Sequence, residues 1–255
     1  MDRNIRDRLY ISTVASDAVV MAKEYGLGLE IADFCVAANM DESFEPYGRY
    51  GVEKMDHGGE MTFHFPFAEL CPCAIDPLVR AVTRQRHEQA LSLALSHGIA
   101  KMIVHAGYIP LVYYPEWFIA ESIKYWHDFL MDRPGNIDIC LENVMEGDPQ
   151  MLSDIVKGVD DPRLRICLDV GHASHSVSDT PLDVWIDTLA GYITHVHLHN
   201  NDRNVDRHWE LGRGTIPMEE TICRLIDACP AASFTVECME AAPSVKWLSE
   251  KGFLG

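Results

Sequence analysis

Histidine and carboxylate residues stand at the ends of short apolar runs, where several of them together can bind a metal ion. His105, Glu142 and Asp169 close the runs KMIVH, IDICLE and LRICLD, and Glu237 follows FTV in the same way. Imidazole and carboxylate ligands without a suitably placed thiolate suit zinc, manganese, cobalt or iron, and fit magnesium less well. We therefore expect a divalent-metal site for one to three ions, with zinc or manganese favoured.

Alternation within these runs predicts that the polar side chains share one side. Successive side chains of a β-strand face opposite surfaces, so Met102 and Val104 face one way and His105 the other. A single inward histidine is more often a hydrogen-bonded core residue than a ligand. The convergence of several such residues favours a metal site, because burying carboxylates without partners costs free energy and a shared cation removes that cost. The residues of the same parity in the other runs are His64, Glu142, Asp169, His195, His197, His199 and Glu237.

The elements that must position these residues alternate along the chain. Helix-like segments separate most of eight apolar runs, which indicates parallel βαβ units. With 255 residues, the chain matches one (β/α)8 TIM barrel domain spanning residues 1–255, in which active sites lie at the C-terminal strand ends. The runs begin at 9, 27, 61, 101, 137, 164, 193 and 234, the expected helices are 76–97, 115–131, 150–157, 181–189, 218–228 and 244–250, and segment 37–60 is expected to be a long loop over one mouth of the barrel.

Composition and charge limit the partners. The formal net charge of −18 opposes unaided binding to a polyanion, so nucleic acid is disfavoured and small polar substrates fit better. The start MDRNIRDRLYI lacks an apolar run of signal-peptide length, and nowhere do about 18 apolar residues follow one another. We therefore expect a cytoplasmic protein without membrane contact, and a homo-oligomer is compatible with the sequence. Eight cysteines, several within apolar runs, indicate reduced, buried thiols.

From His64 onward, the chain resembles the xylose isomerase-like TIM barrels, the superfamily that also contains the endonuclease IV enzymes (AP endonuclease family 2). The resemblance is carried by LENV at 141–144, CLDVGHA at 167–173, HVHLHNND at 195–202 and DRHWELGRG at 206–214. It implies a basic metal site formed by Glu142, Asp169, His197 and Glu237. The endonuclease branch implies further metal ligands, and the matching positions here are His64, His105, His172, Asp206 and His208.

Two departures from the family pattern bear on the site. Where the endonucleases have a motif similar to HLND, this chain has HLHNND, so both His197 and His199 stay open as the ligand, with His197 preferred. The chain is also strongly acidic, with few basic residues near the expected mouth beyond Arg203, Arg207 and Arg213. Binding of a bent DNA duplex is therefore disfavoured.

The resemblance implies, first, a sugar or sugar-phosphate isomerase or epimerase. In such an enzyme the metal polarises a carbonyl group and stabilises an enediolate. Glu142 and Glu237 are the expected proton carriers, while His172, His199 and Arg213 are expected to bind substrate.

A second enzyme class remains open, an endonuclease IV-like multinuclear zinc phosphodiesterase. It would act either as an AP endonuclease or as a hydrolase of small phosphoesters, and the nine candidate ligands favour it. A third class, a barrel that binds a sugar without turnover, is disfavoured because no matching ligand position holds an apolar residue. Metal content and substrate screening distinguish the three.

Overall fold

Eight parallel strands form a closed barrel in the computed structural model, which describes residues 3–56, 58–175 and 177–255. Each strand pairs with its sequence neighbour, and β8 closes the barrel against β1. The predicted (β/α)8 fold is confirmed, with one strand in each of the eight apolar runs. The strands are β1 (Leu9–Ser12), β2 (Gly28–Ile31), β3 (Met61–His64), β4 (Lys101–His105), β5 (Asp138–Glu142), β6 (Leu164–Asp169), β7 (Ile193–Leu198) and β8 (Ser233–Val236).

Helices follow most strands, and capping residues in the sequence mark where two of them begin. Both α3 and α5 begin at an Asp-Pro pair: the carboxylates of Asp76 and Asp148 accept hydrogen bonds from the amides two residues ahead, and proline occupies the first helical position. The helices are α1 (Ala18–Tyr25), α2 (Tyr47–Met55), α3 (Pro77–Ser96), α4 (Pro115–Leu130), α5 (Pro149–Val159), α6 (Val170–Ala173), α7 (Leu182–Leu189), α8 (Met218–Ala228) and α9 (Ala242–Glu250).

The expectation of a long loop over 37–60 is wrong, because this segment contains α2 and two short 3-10 turns. Gly48 and Gly51 lower the intrinsic helix propensity, which makes the helix hard to recognise. Packing overrides propensity here. Gly51 is buried so closely against Phe34 that a Cβ at this position would lie 2.7 Å from the ring, and Met55 of the same helix is also buried.

Two apolar layers confirm the predicted alternation. Met102, Val104 and Ile139 belong to the large core between the strands and the helices. The intervening residues Ile103 and Cys140 form, with Cys167, a small separate cluster inside the barrel. The polar residues of the same inward parity therefore lie above this cluster, at the carboxyl end of the barrel. Within the described part of the chain, no helix combines the length and apolar character needed to cross a bilayer.

Candidate metal centre

Four ligand-type side chains meet at the C-terminal rim of the barrel, and we call them the central cluster. Glu142 ends β5, Asp169 ends β6, His197 lies in β7 and Glu237 directly follows β8; all four are buried. Nδ1 of His197 lies 3.3 Å from Oε1 of Glu142 and 3.3 Å from Oε2 of Glu237. The same nitrogen lies 3.8 Å from Oδ2 of Asp169. Four residues far apart in the chain thus converge on one point.

A second group shares Glu142 with the central cluster, and we call it the β3–β5 cluster. Nε2 of His64 lies 3.1 Å from Oε2 of Glu142, and Nε2 of His105 lies 3.6 Å from the same oxygen. Oε1 of Glu142 faces His197 instead. The carboxylate therefore lies between two sets of ligands, one oxygen toward each, as a bridging ligand does.

A third group lies above β6 and β7, and we call it the loop cluster: His172, His199, Asp206 and His208. Oδ2 of Asp206 lies 3.1 Å from Nε2 of His172 and 3.0 Å from Nε2 of His208. The segment after β7 supplies three of these four residues, His199, Asp206 and His208, and it folds back on itself through an antiparallel bridge between Asn200 and Trp209.

Hydrogen bonds to backbone carbonyls fix the orientation of three of these imidazoles. Nδ1 of His64, His172 and His208 lies 2.9, 3.0 and 3.0 Å from a carbonyl oxygen, so each ring donates there and directs Nε2 into its cluster. Histidines that bind metals characteristically donate their second nitrogen in this way. The acceptors are the carbonyls of Phe65, Asn143 and Glu237.

The residues present fit divalent cations. Ligand atoms about 2.0–2.2 Å from a tetrahedral zinc are roughly 3.3 Å from one another, and the central cluster has such separations. Buried polar atoms are normally hydrogen-bonded. Yet Nδ1 of His197, Nδ1 of His199 and Oε2 of Glu237 have no hydrogen-bond partner among the described residues. Each of these atoms lies in a cluster that a cation can complete.

The electrostatics of the site keep its carboxylates ionised. Burial opposes ionisation of Glu142, but His197 and His105 hold the pKa of its carboxyl well below the ordinary value. Burial also acts on Asp206, where hydrogen bonds from His172 and His208 lower the pKa. The charged forms that metals require are therefore available at neutral pH.

Beneath the central cluster, the barrel interior contains a carboxylate that the sequence analysis missed. Glu30 of β2 is fully buried, and its Oε2 lies 3.0 Å from Nε2 of His195. Nδ1 of His195 is also engaged, 2.7 Å from Oγ of Ser233. Both His195 nitrogens therefore have partners, and this histidine is a structural member of the network, although it lies near Cys167 and His197. Glu30 has the inward parity that singled out the other residues.

The residues predicted to contact substrate occupy different positions. His172 and His199 lie in the loop cluster, and His199 is fully buried. Arg213 is exposed, with its guanidinium 4.3 Å above the ring of Trp209. Phe67, absent from the sequence-based set, stacks on the His105 ring at 3.9 Å and is partly exposed, so it covers one side of the β3–β5 cluster.

Sequence comparison places the chain among known barrels. The family model described as Xylose isomerase-like TIM barrel matches residues 28–251. Protein MJ1311 of Methanocaldococcus jannaschii is 29% identical in an alignment 181 residues long, and the alignment covers 65% of this chain and 60% of that protein. The chain thus spans less than two thirds of the length of this relative.

Several solved structures are similar across almost the whole chain. A D-tagatose 3-epimerase-like protein has a TM-score of 0.76 at 23% identity, covering 96% of both chains. The TTHB071 protein from Thermus thermophilus, soaked with ZnCl2, has a TM-score of 0.75 at 23% identity, covering 96% and 97%. Endonuclease IV from the same organism has a TM-score of 0.62 at 18% identity, covering 95% and 99%. At these identities the similarity establishes the fold.

Proposed function

We propose, from the premise that this chain belongs to the xylose isomerase-like TIM barrel family, that it is a multinuclear metal-dependent hydrolase of small phosphoesters. The observation that carries the proposal is the position of Glu142, which offers one oxygen to His197 and the other to His64 and His105. A carboxylate with one oxygen toward each of two ligand sets is suited to bridging two ions. Paired ions are typical of phosphoester hydrolysis, where they stabilise the attacking and the leaving oxygens.

Each of the three clusters is a candidate site for one ion. The central cluster, the β3–β5 cluster and the loop cluster would each hold one ion, zinc or manganese. Bound there, the ions would supply Lewis-acid polarisation of a phosphoryl oxygen and would lower the pKa of water. Glu142 contacts residues of both the central cluster and the β3–β5 cluster, so it would hold these two ligand sets at a fixed separation. Phe67 stacks on one face of the His105 ring and excludes water from that side.

Charge supports a small phosphorylated substrate over a polymer. The three clusters contain four carboxylates, so a centre filled with three dications keeps a net charge of about +2, which suits a phosphate group. The chain as a whole is acidic, with a formal net charge of −18 before any ion binds, and repels a long polyanion. Attraction confined to the centre therefore favours a substrate with one phosphate over a nucleic acid.

A sugar isomerase or epimerase is the second candidate, and one observation favours it. Glu142 and Glu237 both lie 3.3 Å from Nδ1 of His197, so two carboxylates flank a single point, as a two-base proton transfer requires. The epimerase-like structural neighbour is consistent with this reaction. The central cluster alone would suffice, which leaves the β3–β5 and loop clusters without a role and places this candidate second.

Metal analysis and a substrate screen test the proposal. We expect at least two zinc or manganese ions per chain, together with hydrolysis of p-nitrophenyl phosphate or bis(p-nitrophenyl) phosphate. The screen also includes ketoses, their phosphates and a duplex with an abasic site. Epimerisation of a ketose by a protein that binds a single ion would overturn the proposal in favour of the second candidate, and cleavage of the duplex alone would overturn the small-substrate assignment.

A further inference from the structure

We propose that Cys71 and Cys73 form a redox-active dithiol, which a hydroperoxide oxidises to a reversible disulfide within the chain. The two residues flank Pro72 in the segment between β3 and α3 and belong to none of the three metal clusters. The inference is independent of the proposed function, because no step of it involves a metal ion or a phosphoester.

The sulfur atoms of the two cysteines lie in contact. Sγ of Cys71 is 3.7 Å from Sγ of Cys73. The backbone between them forms a tight turn, in which the Ala74 amide donates to the Cys71 carbonyl at 3.2 Å, and Pro72 presets the backbone angle at the second turn position. A disulfide bond has an S–S distance of about 2.05 Å, so the sulfurs must approach by roughly 1.7 Å. Rotation of the two side chains about their Cα–Cβ bonds can supply a movement of this size.

The remaining cysteines lack a partner of this kind. All eight thiols are free, and among the described residues no other two cysteines have their sulfurs in hydrogen-bonding contact. Cys35 and Cys223 are partly exposed, so an oxidant reaches them as well. Without a neighbouring thiol, their oxidation does not lead to a disulfide within the folded chain. We therefore expect an intrachain bond at residues 71 and 73.

The surroundings of the two thiols differ, and this difference assigns their roles. Hydrogen bonds from the Cys73 thiol and the Tyr113 hydroxyl, 3.7 and 3.3 Å from Sγ of Cys71, hold the pKa of Cys71 below its ordinary value despite burial. The hydrogen bond to Cys71 and burial raise the pKa of Cys73. Cys71 is 8% exposed, whereas Cys73 is fully buried. Because the thiolate is the nucleophile, Cys71 attacks the oxidant and Cys73 resolves the product.

The oxidation proceeds in two steps. The Cys71 thiolate attacks an oxygen of the hydroperoxide, an S–O bond forms as the O–O bond breaks, and the alkoxide or hydroxide that leaves takes up the proton that the Cys71 thiol released. Cys71 is then a sulfenic acid. The Cys73 sulfur attacks the sulfenic sulfur, the S–S bond forms as the S–O bond breaks, and the leaving hydroxide takes the Cys73 proton as water. Two thiols thus lose two electrons and two protons, and the hydroperoxide is reduced to an alcohol and water, or to two waters for hydrogen peroxide.

Oxidation also removes a connection between two loops at the carboxyl end of the barrel. In its protonated form, the Cys71 thiol donates to the carbonyl of Gly107 at 3.4 Å, and a disulfide has no proton for this bond. Cys71 follows Phe67 in the loop after β3, and Gly107 follows His105 in the loop after β4. Since Phe67 stacks on the His105 ring, the lost bond lies next to the β3–β5 cluster.

Peptide mass spectrometry of the full-length protein tests the inference. Trypsin releases both cysteines in one peptide, residues 55–80, which contains no other cysteine. The reduced protein is treated briefly with hydrogen peroxide, the peroxide is removed with catalase, and the remaining thiols are alkylated. We expect this peptide to be unalkylated and about 2 Da lighter than its reduced form, since two hydrogens are lost. Dithiothreitol should restore both thiols.

Two variants separate the roles of the two sulfurs. Cys73→Ser lacks the resolving thiol, so oxidation of Cys71 should stop at a sulfenic acid, which dimedone labels. Cys223→Ser is the control, since it removes a more exposed thiol on α8 and should form the disulfide as the wild type does.

The wild-type measurement decides the inference even if Cys73→Ser does not fold. A peptide 55–80 that keeps two alkylatable thiols after Cys35 or Cys223 has been oxidised would overturn it. Irreversible sulfinic acid in place of a disulfide would do the same.

Discussion

Oε1 of Glu30 lies 2.9 Å from Nε2 of His197, on the opposite side of the ring from the central cluster. The geometry between these two atoms is not that of a hydrogen bond, yet the carboxylate is the nearest charge behind the ring. Through Oε2, Glu30 also accepts from Thr62 and Thr235 and contacts His195. A buried carboxylate behind a metal-binding imidazole orients the ring and increases its basicity.

Replacing Glu30 tests whether it positions His197. In Glu30→Gln we expect the affinity of the central cluster for zinc to fall about 10- to 100-fold, because the charge behind His197 is lost. Thr62→Val is the matched control, since it removes one hydrogen bond to Glu30 and leaves both histidine contacts in place. Zinc titration against a competing chromogenic chelator measures both. Equal affinities for Glu30→Gln and the wild type would refute the positioning role.

Much of the barrel follows from the sequence because alternation encodes it directly. Each strand alternates between the outer core and the interior, so the parity of Val104 and His105 predicts their opposite surroundings. Segment 37–60 is a part of the fold that the sequence pattern does not predict. Its helix α2 contains glycines that propensity disfavours, and it forms because Gly51 allows a close approach to Phe34, a contact between segments that local sequence does not encode.

The sequence predicts the positions of the site residues less completely than it predicts the strands. Parity places both His197 and His199 inward but does not determine their depth, and two residues of strand rise are about 6.6 Å. In the structure His197 lies in the central cluster and His199 in the loop cluster. Glu30 has the same inward parity but lies outside the stretch from His64 onward that carries the family resemblance, and it was not singled out. Its partners Thr62 and Thr235 come from distant strands.

Glu142→Gln should affect two clusters at once. The amide keeps the shape of the side chain but removes the anion between His64 and His197, so we expect fewer bound ions per chain. We also expect kcat/KM to fall about 1,000-fold, which corresponds to a loss of roughly 4 kcal/mol of transition-state stabilisation. Elemental analysis and the phosphoesterase assay measure the two effects. Glu146→Gln is the control. Glu146 is buried outside the three clusters, and its Oε2 and Oε1 accept from the amides of Val144 and Tyr108, so glutamine keeps one of these two hydrogen bonds and removes a buried carboxylate without removing a candidate ligand. An active Glu142→Gln with all ions bound would contradict the bridging role.

Metal removal should lower the thermal stability. Ions that bind the folded chain at 100 times their Kd add about 2.7 kcal/mol per site, and about 1 kcal/mol shifts the Tm of a domain of this size by roughly 2–4 °C. Zinc should therefore raise the Tm of the chelator-treated protein by at least about 5 °C, with a smaller effect of magnesium because imidazole ligands suit it poorly. Thermal unfolding followed by circular dichroism measures this shift. Identical melting curves with and without zinc would be incompatible with the metal centre.

Acid should destabilise the fold through His87 of α3, which is outside the three clusters and packs against Phe65, Trp126 and Phe129. Burial lowers the pKa of His87 to about 3, and its Nδ1 lies 2.8 Å from Oη of Tyr125. The unfolded chain takes up a proton near pH 6.5 but the folded chain does not. The stability from neutral His87 is therefore complete above about pH 6.5 and is lost as the pH falls toward about 3.

Between about pH 7.5 and 4.5 the free energy of unfolding of the wild type should fall by roughly 2.7 kcal/mol more than that of His87→Gln, measured by urea unfolding. Tyr125→Phe, which keeps the imidazole, should retain the pH dependence of the wild type, whereas parallel curves for wild type and His87→Gln would show that another group governs acid stability.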